Sequence, residues 1–277
     1  MSWFKLLRYD LRYGLLRWRY LLTPLLFLLP CTVCHGVLES IGFCGTWMDY
    51  MMYCFMGVKP VIYDANGLEL TLPSLWFLIV GGCLLFNLDY MLHDLTQAGQ
   101  QIIIRSKSRC GWYLAKCFWN LCSCIQYILL AGVSVMFSCL ASGAQPSLLN
   151  TPEITQASFS YEKLMDTIKL TAGQGLLIAV VVPLISLMAI SMLQMMLCLL
   201  IKPVLSFLVS MALLMSAVYC NSPLVLGTGA MVIRSNILVA DGVSPVLATL
   251  VAVSVILISA GAGCLFLNNI DILGLEE

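Results

Sequence analysis

The sequence predicts an all-α polytopic membrane protein: six transmembrane helices preceded by an amphipathic interfacial helix. Three observations carry this. First, the 277 residues are 61% hydrophobic and 10% charged, with mean hydropathy +0.96; an ordinary soluble domain carries about 25% charged residues. Second, six long uncharged runs recur, at 20–38, 70–88, 117–152, 170–201, 203–233 and 242–270. Each reaches, or falls one short of, the roughly 20 apolar residues that a bilayer core asks of a helix. Third, alternating segments of about ten residues, the mark of a membrane barrel, do not occur. Backbone polar groups in hydrocarbon must be satisfied within their own segment, so the spans are read as helices. They are expected at 21–42, 73–92, 115–141, 173–198, 203–221 and 245–267.

The same composition argues against disorder, a collagen, a secreted disulfide scaffold and a nucleic-acid binder. Fourteen Lys and Arg balance fourteen Asp and Glu, so no global field attracts a polyanion. The first span lacks a clear small-x-small cleavage site and follows a basic segment, so it reads as a signal anchor.

Residues 1–20, MSWFKLLRYDLRYGLLRWRY, form the elbow helix. At about 100° per residue, Lys5, Arg8, Arg12 and Arg19 fall within roughly 60° of arc. Trp3, Phe4, Leu7, Leu11, Leu15 and Trp18 gather beside them. Such a helix lies in the interface with its bases against anionic headgroups; the plainer reading is a topology signal and nothing more.

Orientation follows the distribution of bases. With six spans, one side carries Lys5, Arg8, Arg12, Arg17, Arg19, Arg105, Lys107, Arg109, Lys116 and Lys202, and the other carries Lys59, Lys163, Lys169 and Arg234. Ten against four puts both termini in the cytoplasm.

The cytoplasmic segment 94–112 opens with a helix-compatible polar stretch containing Gln100 and Gln101. An apolar triplet, Ile102–Ile104, follows, and then bases at alternate positions, Arg105, Lys107 and Arg109, with Trp112 and Tyr113 behind them. It lacks GxxxxGK[ST] and so holds no nucleotide by itself. A short helix parallel to the membrane, presenting side chains to a docked soluble subunit, fits it. A bare retention signal is the alternative.

Chemistry inside the chain is sparse. HExxH, GxSxG, a Walker A motif and a paired Glu-Glu within a span are all absent. No catalytic, cofactor or metal residues are assigned. Cys31 and Cys34 have C-x-x-C spacing inside span 1, but no second Cys pair completes a zinc site, so they read as small apolar residues. A Cys44–Cys54 disulfide outside is open. His35 and Glu39 share a face of span 1 at i,i+4 spacing, as a pH-sensing or cation site or as an interhelical contact. Asn87 and Asp89 near the end of span 2 are read as a transport-path group or a boundary contact. Segment 222–244 opens with Asn221-Ser-Pro, is broken by Gly227-Thr-Gly229 and is otherwise nearly all apolar. It reads as a re-entrant piece under the outer leaflet. Ala248, Ala252, Ser259 and Gly263 give span 6 a close-packing face.

The layout resembles the permease subunit of a type-2 ATP-binding-cassette exporter. The best local match is Gly99-Gln-Gln-Ile-Ile-Ile-Arg-Ser-Lys-Ser-Arg109 with Trp112, similar to a stretch in permeases encoded beside a separate ATPase in Gram-positive bacteria. The resemblance implies a multi-pass protein of the bacterial cell membrane with ATPase-coupling residues in 94–109. It further implies two partner ATPase subunits that hold the ATP and Mg2+, and a second permease copy or a related permease. The transported substrate (peptide, drug or lipid-like) is left open. A polytopic enzyme, or a non-transporting immunity or sensor protein, are the other classes.

Overall fold

The structure, a computed structural model, describes residues 3–59, 72–88, 90, 108–152, 155, 169–239 and 241–269. Among these every regular element is helical, apart from isolated bridges pairing Thr46 with Gln145 and Ser235 with Val243.

Helix α1 (Trp3–Leu15) carries the N-terminal amphipathic segment. A 3-10 turn, Trp18–Leu22, leads into α2 (Thr23–Ile41), which Gly42 ends at φ +77°, the left-handed conformation that glycine adopts without penalty. The short α3 (Trp47–Cys54) starts at a reciprocal cap: Asp49 Oδ2 accepts from the Thr46 backbone N–H and hydroxyl, both at 2.9 Å. Asp49 Oδ1 also accepts from the Thr151 N–H at 3.0 Å, tying α3 to the following outer loop. Burial pushes the Asp49 carboxyl above the usual carboxylate range, with these hydrogen bonds opposing.

Helix α4 (Ser74–Asn87) is followed by α5 (Arg109–Ala141), whose N-cap Ser108 accepts from the Gly111 N–H. Helix α6 runs as Ala172–Leu176, a π-helical turn Leu177–Val181, and Val182–Leu200. Pro183 explains the wide turn: its ring cannot donate and crowds the carbonyl four residues back, and a π turn makes the room. Helix α7 (Pro203–Tyr219) and α8 (Pro245–Asn269) both open on proline, which suits a first helical turn.

Four helical stretches are long and apolar enough to cross a membrane: Trp18–Ile41, Arg109–Ala141, Ala172–Leu200 and Pro245–Asn268. These are the expected spans 1, 3, 4 and 6. The expected spans 2 and 5 are shorter. At 1.5 Å per residue, the 14 residues of α4 reach about 21 Å and the 17 of α7 about 26 Å, against a hydrocarbon core of about 30 Å. Residues 89, 91 and 92 of the expected span 2 lie outside the described residues. Together these elements give the chain the architecture of a multi-pass membrane protein.

One large buried cluster, including Phe27, Met51, Trp76 and Tyr127, joins α2–α6 to the segment that follows α7. A second, with Leu6, Trp112, Tyr113, Met192 and Leu267, ties α1, α5, α6 and α8 at the opposite end. Outside these lie large exposed apolar side chains, among them Leu129, Val133 and Phe137 on α5 and Leu257, Ile258 and Leu265 on α8. In water such a surface is a liability; facing acyl chains it costs nothing.

Segment 222–244 packs against α3 and α7, with 3-10 turns at Thr228–Ala230 and Val232–Arg234. Its backbone hydrogen-bonds α3 and its exit, Val232 N–H to Phe55 O and Ile233 N–H to Met56 O. Arg234, fully buried, donates to the carbonyls of Ala217, Val218 and Cys220 at the end of α7, and to Val58 O and Lys59 O. A cation forking over the last carbonyls of a helix complements its dipole. This is why α7 stops at Tyr219, before the expected 221: its last turn is completed by Arg234 instead of by another turn of helix.

Candidate functional site

Two buried polar clusters stand out, and both sit on the inner faces of the helices. The first holds α1 on α5. Asp10 and Lys116 have no exposed side-chain surface, and Lys116 Nζ lies 2.5 Å from Asp10 Oδ1. The Tyr90 hydroxyl donates to the same oxygen at 3.0 Å. The Lys116 ammonium lies 4.7 Å from the Tyr90 ring centre and 5.3 Å from that of Trp112. Arg17 covers Tyr90 at 4.6 Å, and Trp119 stacks on it at 3.9 Å. A buried ion pair is costly unless hydrogen bonds and ring faces take over from water. Here the rings and the phenol do so. Gly14 completes the contact. A Cβ there would lie 2.0 Å from the Trp119 indole nitrogen, so only glycine lets the two helices approach.

The second cluster lies deeper. Asn87 Oδ1 accepts from the Tyr20 hydroxyl at 2.9 Å and the Ser123 hydroxyl at 2.8 Å. Asn87 Nδ2 donates to Ser191 Oγ at 3.1 Å, and Ser191 donates to Asn120 Oδ1 at 2.8 Å. One neutral amide thus holds the entry to α2 with α4, α5 and α6. Nearby, Gln194 Nε2 donates to Leu84 O at 3.1 Å. Asn87 thus makes hydrogen bonds between helices.

The other sequence-selected residues fall as follows. Lys5, Arg8 and Arg12 are exposed together on α1. Arg19 leaves that stripe, because α1 ends at Leu15 and Arg19 belongs to the 3-10 turn. Trp18 is exposed, and the Trp3 side chain lies outside the described residues. The buried stripe of α1 is Leu6, Asp10 and Gly14, while the expected apolar face of Leu7, Leu11 and Leu15 is half-buried. The face of α1 that packs on α5 is thus the one carrying glycine and the ion-pair partner, not the most apolar one. His35 meets the Tyr50 hydroxyl at 3.4 Å, and among the described residues no ion pair joins it to Glu39, which is exposed.

Gln100, Gln101, Arg105, Lys107 and Asp89 lie outside the described residues. Arg109 is described and half-buried, with Nη1 donating to Leu267 O on α8 at 3.4 Å. Trp112 is buried and packs on Lys116, so its side chain faces the protein interior and not a docking surface. Among the described residues no group of His, Cys, Asp and Glu could hold a metal. Cys31, Cys34, Cys44 and Cys54 are free thiols, and Cys44 is exposed while Cys54 is buried.

Sequence reasoning passed over Asp10, Tyr90, Asn120 and Ser191. It counted Lys116 only toward topology. The signal was present: Lys116 is the one charge between Arg109 and Glu153, inside an apolar helix, where an ionisable residue implies a named partner. No protein-family model, no curated protein and no solved structure matches this chain.

Proposed function

We propose that this chain is the membrane-spanning permease subunit of an ATP-driven exporter, acting with separate ATPase subunits and a second permease. In this reading α4 and α7 are short spans that complete six, and both termini are cytoplasmic. Segment 94–109, with Gln100, Gln101, Arg105, Lys107 and Arg109, docks on the ATPase, which holds ATP and Mg2+. Substrate passes outward through the cell membrane.

The observation that carries the proposal is the Asp10–Lys116 contact in its setting. Helix α5 begins at Arg109, at the end of the docking segment, and runs unbroken for 33 residues. Seven residues in, Lys116 locks it to α1. A push on the segment moves α5 and the elbow helix as one piece, and the Asn87 network passes the movement to α2, α4 and α6. Differential affinity of the ATPases for two arrangements of this piece supplies the energy. The Asn87 network is built of amides and hydroxyls, a composition suited to joining helices.

The test is co-purification. Arg105→Glu with Arg109→Glu is expected to abolish recovery of an ATPase with the tagged, detergent-solubilised protein while membrane insertion stays intact. Undiminished recovery removes the docking assignment. Appearance of 100–110 on the outer surface, by cysteine-accessibility tagging, removes the reading as a whole.

A further inference from the structure

The ends of α5 and α8 that meet beside the described start of α5 are closed like a zip. Tyr113 donates its hydroxyl to Ser259 O at 3.2 Å, and its ring lies in the space where Gly263 has no side chain, 2.2 Å from an added Cβ. Arg109 reaches Leu267 O. Between these contacts Cys110 Sγ and Cys264 Sγ stand 2.7 Å apart. Even carbon atoms at their best separation stay about 3.5–4.0 Å apart, and a disulfide bond measures about 2.04 Å. Both cysteines are free and half-exposed. Cys110 lies in the first turn of α5.

We infer that Cys110 and Cys264 are a modification site: a thiol pair that hydroperoxides oxidise to a reversible disulfide joining α5 to α8. The Cys110 thiolate attacks the O–O bond. One oxygen stays on sulfur as the sulfenic acid, and the other leaves as water or an alcohol after taking up a proton. The Cys264 thiolate then attacks the sulfenic sulfur, the S–S bond forms, and the hydroxyl leaves with a proton as water. Two electrons have passed from the two thiols to the peroxide. A dithiol reverses the bond by exchange. On the cytoplasmic side, where the permease reading puts this end, disulfides are characteristically transient and redox-sensing. What the bond does rests on the permease reading: it pins the start of α5, and with it the docking segment, to the last helix. Formation of the bond does not rest on that reading.

The full-length protein in detergent is treated with hydrogen peroxide, quenched with N-ethylmaleimide, digested with chymotrypsin and mapped by mass spectrometry. The expected result is a peptide pair cross-linked through Cys110 and Cys264, with loss of alkylation at both, reversed by dithiothreitol. In Cys110→Ser, Cys264 should stay alkylated after the same treatment. Equal alkylation of both cysteines before and after oxidant overturns the proposal, and so does a cross-link of either to Cys117 instead. Co-purification of an ATPase is scored separately, so failure of the lever and failure of the thiol pair are told apart.

Discussion

Asp10 and Lys116 meet at 2.5 Å with neither side chain exposed, so the N-terminal helix is fastened to the middle of the chain by its one buried acid. The interaction sits where α1 and α5 approach closely enough for Gly14 to touch Trp119. Breaking either partner strands the other charge.

Removing one partner of a buried pair costs about 3–5 kcal/mol, whereas replacing both with apolar groups is often close to neutral. Asp10→Leu and Lys116→Met are each expected to lower the thermal midpoint of the detergent-solubilised protein sharply, and the double variant to recover most of the loss. Equal, additive losses in the double-mutant cycle would show that the two charges do not act as a pair.

Arg234 donates to carbonyls of α7 and of the chain leaving α3. Arg234→Lys keeps the charge but loses the planar fork, and it is expected to behave almost like Arg234→Ala. Each hydrogen bond from a charged group contributes about 1.5–3 kcal/mol. The readout is limited proteolysis of the 222–244 segment in intact vesicles, which should become cleavable in both variants. A fully protected Lys variant would mean that charge alone suffices.

Asp49 gives the outer layer a pH dependence. Its carboxyl is raised by burial, so the folded chain binds the proton more tightly than the unfolded chain, whose carboxyl titrates near 3.9. The stabilising contribution is complete below that value and is lost as pH rises through the folded value. The thermal midpoint is expected to fall across this window in the native protein, and the slope to flatten in Asp49→Asn. A midpoint that rises with pH in the native protein alone would mean that the Thr46 and Thr151 hydrogen bonds outweigh burial.

Much of the architecture was legible because it depends on composition and length. Three of the four long helices fall in the long uncharged runs 117–152, 170–201 and 242–270 and the fourth on the 19-residue run 20–38, bounded where Ser108 and Thr171 supply caps and Gly42 a stop. The end of α7 was overrun because hydropathy counts apolar residues and not backbone geometry. Val218, Tyr219 and Cys220 look equally apolar, yet α7 ends there because a guanidinium from fourteen residues on takes its carbonyls. The face of α1 that packs on α5 was not legible, because a helical wheel ranks faces by hydrophobicity, whereas this contact uses the missing side chain at Gly14 and the charge of Asp10 against Lys116. An amide such as Asn87 at the end of an apolar helix has to be satisfied by neighbours. Which neighbours, Ser191 among them, depends on contacts between helices about a hundred residues apart in sequence.

The buried acid also orders events during synthesis. Asp10 leaves the ribosome 106 residues ahead of Lys116, a delay of about 5–20 s at the usual rate of about 5–20 residues per second. Throughout that interval its carboxylate has no ammonium to meet and must stay hydrated, so the N-terminal helix waits outside while the earlier segments enter the lipid. It docks only when α5 arrives with its lysine, while α6, α7 and α8 are still to be made.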